Sequence, residues 1–139
     1  MKPVLYALVG AALWGAAPVF GKLGLSRVDP VAALSVRSLA VAAAITGWAA
    51  FSGRLGGLAA MDARSAAFIG AEGLLASVLG HLAYYFALKY GEASRVAPVV
   101  AAYPAFTLAI AALALGERLA VPKLLGTAMV LGGVLLLGK

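Results

Sequence analysis

The hydrophobic pattern of this chain consists of long apolar runs separated by short polar segments. Each run is close to the roughly 20 residues needed to cross a ~30 Å hydrocarbon core. We therefore predict an all-α integral membrane protein with five transmembrane helices. Their approximate limits are residues 4–21, 30–51, 66–88, 93–115 and 121–137. The last run is the shortest, and an odd number of spans places the two termini on opposite sides of the membrane.

The stretch from residue 81 to residue 119 shows how the runs connect. A polar turn at residues 89–94 separates two apolar runs, and Glu117 with Arg118 forms a charged exit from the second. Spans joined by so short a loop form a hairpin in the bilayer, where helices satisfy their own backbone polar groups. Little sequence is left for a soluble domain, so we predict a single transmembrane domain over residues 1–139.

Two loops carry signals for the start of a helix. Asp29 precedes Pro30, an acidic N-cap followed by proline at the first helical position. The second span is therefore expected to begin at Pro30. Before the third span, either Asp62 or Ser65 is available as the capping residue.

Prolines and small residues distinguish the last two spans. Pro98 and Pro104 lie inside the fourth run, where each removes a backbone donor and favours a kink. Carbonyls near them are expected to face a cavity or a neighbouring helix. In the fifth run Ala128 and Gly132 form a small-xxx-small pair, which predicts close helix association and a dimer interface.

Composition supports the membrane assignment and limits the chemistry. The chain is 64% hydrophobic with a mean hydropathy of +1.03, which argues against an ordinary soluble domain. Its net charge of +6 comes from Lys and Arg residues at the ends of apolar runs, so their expected partners are lipid headgroups and not nucleic acid. Without cysteine and with one histidine, neither disulfides nor a metal site is predicted.

Catalytic and targeting signals are weak in this sequence. The chain has no phosphate-binding glycine loop and no nucleophile–base or paired-acid motif, so we expect no cofactor, no catalytic residue and no enzyme activity. The N-terminal run could be a signal peptide. Pro18 directly after Ala16 and Ala17 is a poor cleavage site, and we interpret the run as the first span.

Arg37, Glu72 and His81 are ionisable residues that lie away from the ends of the spans. Arg37 is roughly 10 Å inside the second span and Glu72 roughly 9 Å inside the third, at 1.5 Å per residue. Either they contribute to a cavity or they reach the interface with their own side chains. His81 shares a helical face with Tyr84 and Tyr85, whereas Glu72 points the opposite way on an ideal α-helix. A direct relay between Glu72 and His81 is therefore not expected.

Aromatic residues supply further candidates for a cavity. Trp14 interrupts a face of the first span that otherwise carries small residues. Tyr103 and Thr107 are i, i+4 neighbours in the fourth span, beside Pro104. The alternative for Tyr84 and Tyr85 is helix packing or an interfacial aromatic belt.

Several short motifs together resemble an EamA domain of the drug/metabolite transporter superfamily. They are Trp14-Gly15 with Lys22, the Arg37 region, YFALKY at residues 85–90, Ala93-Ser94, Pro104, GERL at residues 116–119, and Gly126. The resemblance implies a secondary transporter of small metabolites or drug-like molecules, with spans one, three and four lining the substrate cavity. The lining candidates are Trp14, His81, Tyr84, Tyr103 and Thr107.

The resemblance has two limits. Most members of that family look like two such domains fused into ten helices, whereas this chain resembles the short single-domain members. In addition, the first span carries no acidic residue, where the related small multidrug-resistance proteins have an essential glutamate. Proton-coupled multidrug antiport of their type is therefore not expected.

The loop charges give no preference for one orientation. The side of the N-terminus carries Lys2, Arg54, Arg64, Arg118 and Lys123, and the opposite side carries Lys22, Arg27, Lys89, Arg95 and Lys139. One hypothesis is that these charges only cap helix ends and that the first helix fixes the orientation. The other is dual topology, in which two copies insert in opposite directions.

Dual topology would produce an antiparallel homodimer, a ten-helix bundle with an inverted repeat that works by alternating access. In that dimer, depth alone would bring the partner's Glu72 into one polar layer with Arg37 and His81. The competing function is a membrane scaffold or accessory subunit that transports nothing itself. The expected location is the bacterial cytoplasmic membrane, with lipid and a small-molecule substrate as the other partners.

Overall fold

The computed structural model describes residues 2–137, which are almost entirely helical and contain no β-strand. The elements are α1 Lys2–Gly24, α2 Pro30–Phe51, α3 Gly56–Ala59, α4 Ala63–Gly73, a π-helical segment Leu74–Gly80, α5 His81–Tyr90, α6 Ala93–Val100, α7 Tyr103–Leu115 and α8 Val121–Leu137. Lys139, one of the charges counted for topology, lies outside the described residues.

Four helical stretches are long and apolar enough to cross a membrane. They are Lys2–Gly24, Pro30–Phe51, Ala63–Tyr90 and Ala93–Leu115. The prediction of an integral membrane protein is therefore confirmed. Val121–Leu137 is apolar but has 17 residues, which at 1.5 Å per residue is about 26 Å, so the count of five spans stays a prediction.

Both predicted helix starts are confirmed. Helix α2 begins at Pro30, and Asp29 Oδ2 accepts hydrogen bonds from the backbone N–H groups of Val31 and Ala32 at 2.8 and 3.2 Å. These are donors that the first helical turn cannot satisfy internally. The junction between α1 and α2 is thus determined by a local signal in the sequence.

Helix α4 is capped in the same way by Asp62. Its Oδ1 accepts from the backbone N–H of Ser65 at 2.9 Å, so the aspartate and not the serine is the cap. Hydrogen bonds from Ser65, first from its side chain and then from its backbone, lower the pKa of the Asp62 carboxyl.

The third span is not a uniform α-helix, contrary to the expectation used to orient its side chains. Leu74–Gly80 is π-helical, and the backbone N–H of His81 donates to the carbonyl of Ala76, five residues earlier. A Cβ at Gly80 would lie 3.2 Å from the Leu75 carbonyl oxygen, so glycine leaves room for the wide turn.

This π-helical segment corrects the predicted orientation of Glu72 relative to His81. A π-turn accommodates about one extra residue, so nine residues rotate about as far as eight do in an α-helix. The two side chains are then separated by roughly 80° around the axis instead of roughly 180°. They lie on neighbouring faces about two turns apart, and that spacing is too long for direct contact.

The fourth span is broken where proline predicted an irregularity. Helix α6 ends at Val100, residues 101 and 102 form a turn, and α7 begins at Tyr103 with Pro104 in its first turn. Pro104 has no N–H to donate to the carbonyl of Val100, and its ring clashes with that carbonyl in a continuous helix. Helix α6 passes through Pro98 without a break, so the irregularity belongs to Pro104.

The chain forms two compact units, one of residues 20–90 and one of residues 1–19 with 91–139. In the first unit α2 packs against α5, and the buried apolar side chains are Leu25, Leu34 and Leu88. In the second unit α8 packs against α6 and α7. These two helix packings position the candidate functional residues.

Candidate functional site

Lys22 caps the end of the third span. Its Nζ donates to the carbonyl oxygens of Leu88 at 2.6 Å and Lys89 at 3.3 Å. The last carbonyls of a helix have no partner within the helix, and the helix dipole favours a cation beside them. A lysine singled out by its motif is therefore a helix cap that joins α1 to α5.

A second lysine makes the reciprocal contact. Lys89 Nζ donates to the carbonyl oxygen of Val28, which precedes α2, at 3.1 Å. Between the two lysines Leu25 is 2% exposed and Leu88 is fully buried. Gly21 permits the close approach, since a Cβ there would lie 3.2 Å from Leu88 Cδ1. Lys22 therefore caps a helix end, as one of the two hypotheses for the charges expected, whereas Lys89 binds a carbonyl in the loop between α1 and α2.

His81 is held in one tautomer by the π-helical segment. Its Nδ1 lies 2.9 Å from the carbonyl oxygen of Ala76, which also accepts the backbone N–H of His81. A carbonyl oxygen can only accept, so Nδ1 carries the hydrogen. In the neutral ring Nε2 is then the nitrogen with the free lone pair, available as a hydrogen-bond acceptor.

The predicted face of His81, Tyr84 and Tyr85 is observed as a cluster of three rings. The imidazole centroid lies 6.3 Å from each phenol ring, at interplanar angles of 89° and 75°. The two phenol rings are 6.4 Å apart. All three side chains are partly exposed, so the cluster offers ring edges and faces to a ligand or to lipid.

Helix α2 has one covered stripe. Its first half is exposed except at Pro30, Ala33, Leu34 and Arg37, a spacing that places all four residues on one helical face. Helix α5 packs against α2, and this stripe is the face of α2 that the rest of the chain covers. Arg37 lies at its inner end, half-buried, and among the described residues it makes no ion pair or side-chain hydrogen bond.

The unit that contains α7 and α8 has an open groove of about 670 Å³ between these two helices. Tyr103 and Thr107 line it from α7, as their shared face predicted, and Thr127 lines it from α8. Thr107 Oγ1 donates to the carbonyl oxygen of Tyr103 at 3.2 Å. The groove therefore begins at the break in the fourth span.

An ion pair also lines this groove. Lys123 Nζ lies 3.1 Å from Glu117 Oε2, with both side chains about half-exposed. Such a pair contributes about 0–1 kcal/mol. The sequence interpretation assigned Glu117 to a loop and missed Lys123 and Thr127 as lining residues. Thr127 is the uncharged polar residue of the fifth run, and that was the available signal.

The remaining candidates are not brought into either cluster. Trp14 is 72% exposed, and Glu72 is exposed and, within residues 2–137, without an ion pair or side-chain hydrogen bond. Ala128 and Gly132 lie on the exposed surface of α8, and a Cβ at Gly132 would meet nothing within 4 Å. These two small residues remain accessible to another helix.

Comparison with known protein families assigns the whole sequence to one family. The model of the EamA-like transporter family matches residues 1–139. The chain belongs to this family. The motif resemblance is thereby confirmed, and EamA membership together with the four long apolar helices identifies an integral membrane transporter of the drug/metabolite type.

Two proteins of other organisms are similar to the chain in sequence. A Sinorhizobium sp. protein named "Uncharacterized transporter in cobO 3'region" is 32% identical over 132 residues, 95% of this chain and 93% of that protein. An uncharacterized protein of Methanocaldococcus jannaschii is 40% identical over 60 residues, 43% of this chain and 44% of its own length. No solved structure matches the chain.

Proposed function

We propose that this EamA protein is a secondary transporter that moves small metabolites or drug-like molecules as an antiparallel homodimer by alternating access. The observation that carries the proposal is the break at residues 101–102, from which Tyr103 and Thr107 line an open groove. Irregular backbone at membrane depth is tolerated where it lines a cavity or is buried in protein. In secondary transporters, broken helices of this kind form the substrate site.

The homodimer is supported by the surface that α8 leaves exposed. The small residues Ala128 and Gly132 lie on an open surface of α8, where another helix can approach closely. As the proposed fifth span, α8 is short, and packing against a partner would compensate for that length. The equal division of loop charges supports insertion of the two copies in opposite orientations.

In this proposal Tyr103 and Thr107 of the groove contact the substrate. His81, Tyr84 and Trp14 remain the further lining candidates that the family resemblance implies. The partner's Glu72 is expected at the depth of Arg37 and His81. A bacterial cytoplasmic membrane is the proposed location.

Transport by the purified chain tests this function. The protein is reconstituted alone into proteoliposomes and assayed for uptake or efflux of a panel of labelled amines, organic acids and nucleosides. We expect saturable, gradient-dependent flux of at least one class, and at least a tenfold loss in Tyr103→Ala. The matched control Tyr6→Ala, at an exposed position of α1, should transport normally.

The scaffold hypothesis gives a different result in the same assay. A non-transporting accessory subunit would give no flux above empty liposomes for any solute, although it is folded and dimeric. Flux that Tyr103→Ala and Tyr6→Ala reduce equally would place the transport path away from the groove.

A further inference from the structure

We propose that Arg37 and His81 form a binding site for a small organic acid that carries a hydrogen-bond donor beside its carboxylate. This inference rests on the proposed transport function and names a substrate class for it. Its basis is the way α2 packs against α5. The two side chains lie on these two helices, and both are partly buried.

The lysine contacts fix the register of these two helices. Lys89 Nζ reaches the carbonyl of Val28, so the end of α5 lies beside the start of α2. Both helices belong to spans that start or end at this contact and pack against each other, so we infer that they run antiparallel. Arg37 follows Val28 by nine residues and His81 precedes Lys89 by eight, which corresponds to about 13 and 12 Å. The backbones of Arg37 and His81 therefore lie at about the same distance along the helix pair from the Lys89–Val28 contact.

Both side chains have hydrogen-bonding groups that are available to a ligand. Arg37 is half-buried, and in the described part of the chain neither a carboxylate nor a hydrogen-bonding oxygen contacts its guanidinium. A guanidinium takes carboxylate oxygens in pairs, through two parallel N–H donors. His81 has its Nδ1–H engaged by Ala76, so Nε2 of the neutral ring is free to accept.

The neighbouring groups complete the recognition. Within one chain, Arg37 is the charged residue of α2 and α5 has no carboxylate, so this part of the helix pair carries a positive charge and the imidazole acceptor. In the proposed dimer the partner's Glu72 is the group that would compete with the ligand for Arg37. Tyr84 and Tyr85 place ring surfaces beside the imidazole, suited to an aromatic or branched body. A ligand that satisfies all these groups has a carboxylate for Arg37, an adjacent O–H or N–H for Nε2, and an apolar group for the tyrosines.

Three related molecules separate these contributions in an equilibrium binding experiment. Mandelate has the carboxylate, the hydroxyl and the ring, phenylacetate lacks the hydroxyl, and mandelamide lacks the charge. Calorimetric titration of the dimer in lipid nanodiscs should rank mandelate first. We expect phenylacetate to bind about fivefold more weakly, the effect of one neutral hydrogen bond. Mandelamide should bind at least tenfold more weakly, because it loses a charge-assisted pair.

Substitutions then assign each preference to one residue. Arg37→Gln should abolish the preference for mandelate over mandelamide, and Arg37→Lys should retain part of it as a point charge without the paired geometry. His81→Phe keeps a ring but no nitrogen, so mandelate and phenylacetate should bind equally. His81→Gln, which can still accept, should restore part of the difference and serves if His81→Phe fails to fold. The loop variant Arg54→Gln should bind as the unaltered protein does.

Three results would overturn the site. They are equal binding of mandelate and mandelamide, a preference unchanged in Arg37→Gln, and a preference that appears only in Glu72→Gln. The last would assign Arg37 to the partner's Glu72 instead of a ligand. Because binding is measured without transport, a protein that binds mandelate but gives no flux would refute the transporter proposal alone. Flux of other solutes without acid binding would refute the site alone.

Discussion

The two compact units differ in how completely their helices are held together. In residues 20–90, two lysines donate across the chain to backbone carbonyls around a fully buried Leu88. In the other unit no side chain of α6, α7 or α8 is buried, although α8 packs against both other helices. The helices of residues 20–90 are therefore packed around buried side chains. The exposed faces of α6, α7 and α8 are available to lipid, substrate or a second chain.

The largest difference between the two units is expected in core packing. Leu88→Ala removes the most buried side chain and should lower the free energy of unfolding by about 2–5 kcal/mol, since it leaves a cavity. Leu113→Ala, at a position of α7 that is 89% exposed, should change it by at most about 0.5 kcal/mol. Thermal unfolding in detergent measures both. Equal losses would show that the two units are equally packed in solution.

Removal of the lysine cap should come next in size. Lys22→Met keeps an apolar stem but leaves the carbonyls of Leu88 and Lys89 without this donor, a loss of about 1–3 kcal/mol. Lys2→Met, at the exposed start of α1, is the control and should unfold at the unaltered temperature. An unchanged stability of Lys22→Met would mean that water replaces the cap without cost.

A larger side chain on the exposed surface of α8 should affect self-association of the protein and leave its folding unchanged. Because a Cβ at Gly132 meets nothing within the chain, Gly132→Leu should fold normally. In the dimer the larger side chain should overpack a close helix contact and weaken self-association by about 1–3 kcal/mol. Analytical ultracentrifugation in detergent compares it with Gly133→Leu on the adjacent face. Unchanged association of Gly132→Leu would move the interface to another helix.

The smallest effect is expected at the start of the third span, which one aspartate caps. Hydrogen bonds from Ser65 lower the pKa of Asp62 in the folded protein, so the cap contributes fully above the unfolded value of about 3.9. Its contribution is lost as the pH falls through the lower folded value. Amide exchange of Ser65, corrected for intrinsic rates, should accelerate over that acid range. Asp62→Asn should exchange faster at neutral pH and lose the acid step, and an identical acid step in both proteins would exclude Asp62 as its source.

The elements that could be predicted from the sequence depend on local signals. Asp29, Pro30 and Asp62 act within one helical turn, so their residue types alone locate the start of a helix. Pro104 acts on the preceding turn, and the break in the fourth span follows from its missing N–H. The shared faces of His81 with Tyr84, and of Tyr103 with Thr107, also follow from helical spacing.

The features that were missed depend on contacts between distant residues. Lys22 and Leu88 are 66 positions apart, and no periodicity indicates that one caps the helix of the other. The lining of the groove by Lys123 and Thr127 depends on which face of α8 meets α7. The π-helical segment has no clear sequence signal apart from Gly80, so the orientation of Glu72 was wrong by about 100°.

The central claim, that two oppositely inserted copies form the transporter, is tested most directly by a single cysteine. The chain has no cysteine, and Ala60, in the loop between α2 and α4, is exposed. In intact cells that produce Ala60→Cys, a membrane-impermeant maleimide should label about half of the molecules, and permeabilisation should expose the rest. Two lysines added to this loop should shift the label to one side. Labelling of all molecules or of none before permeabilisation would contradict the antiparallel homodimer.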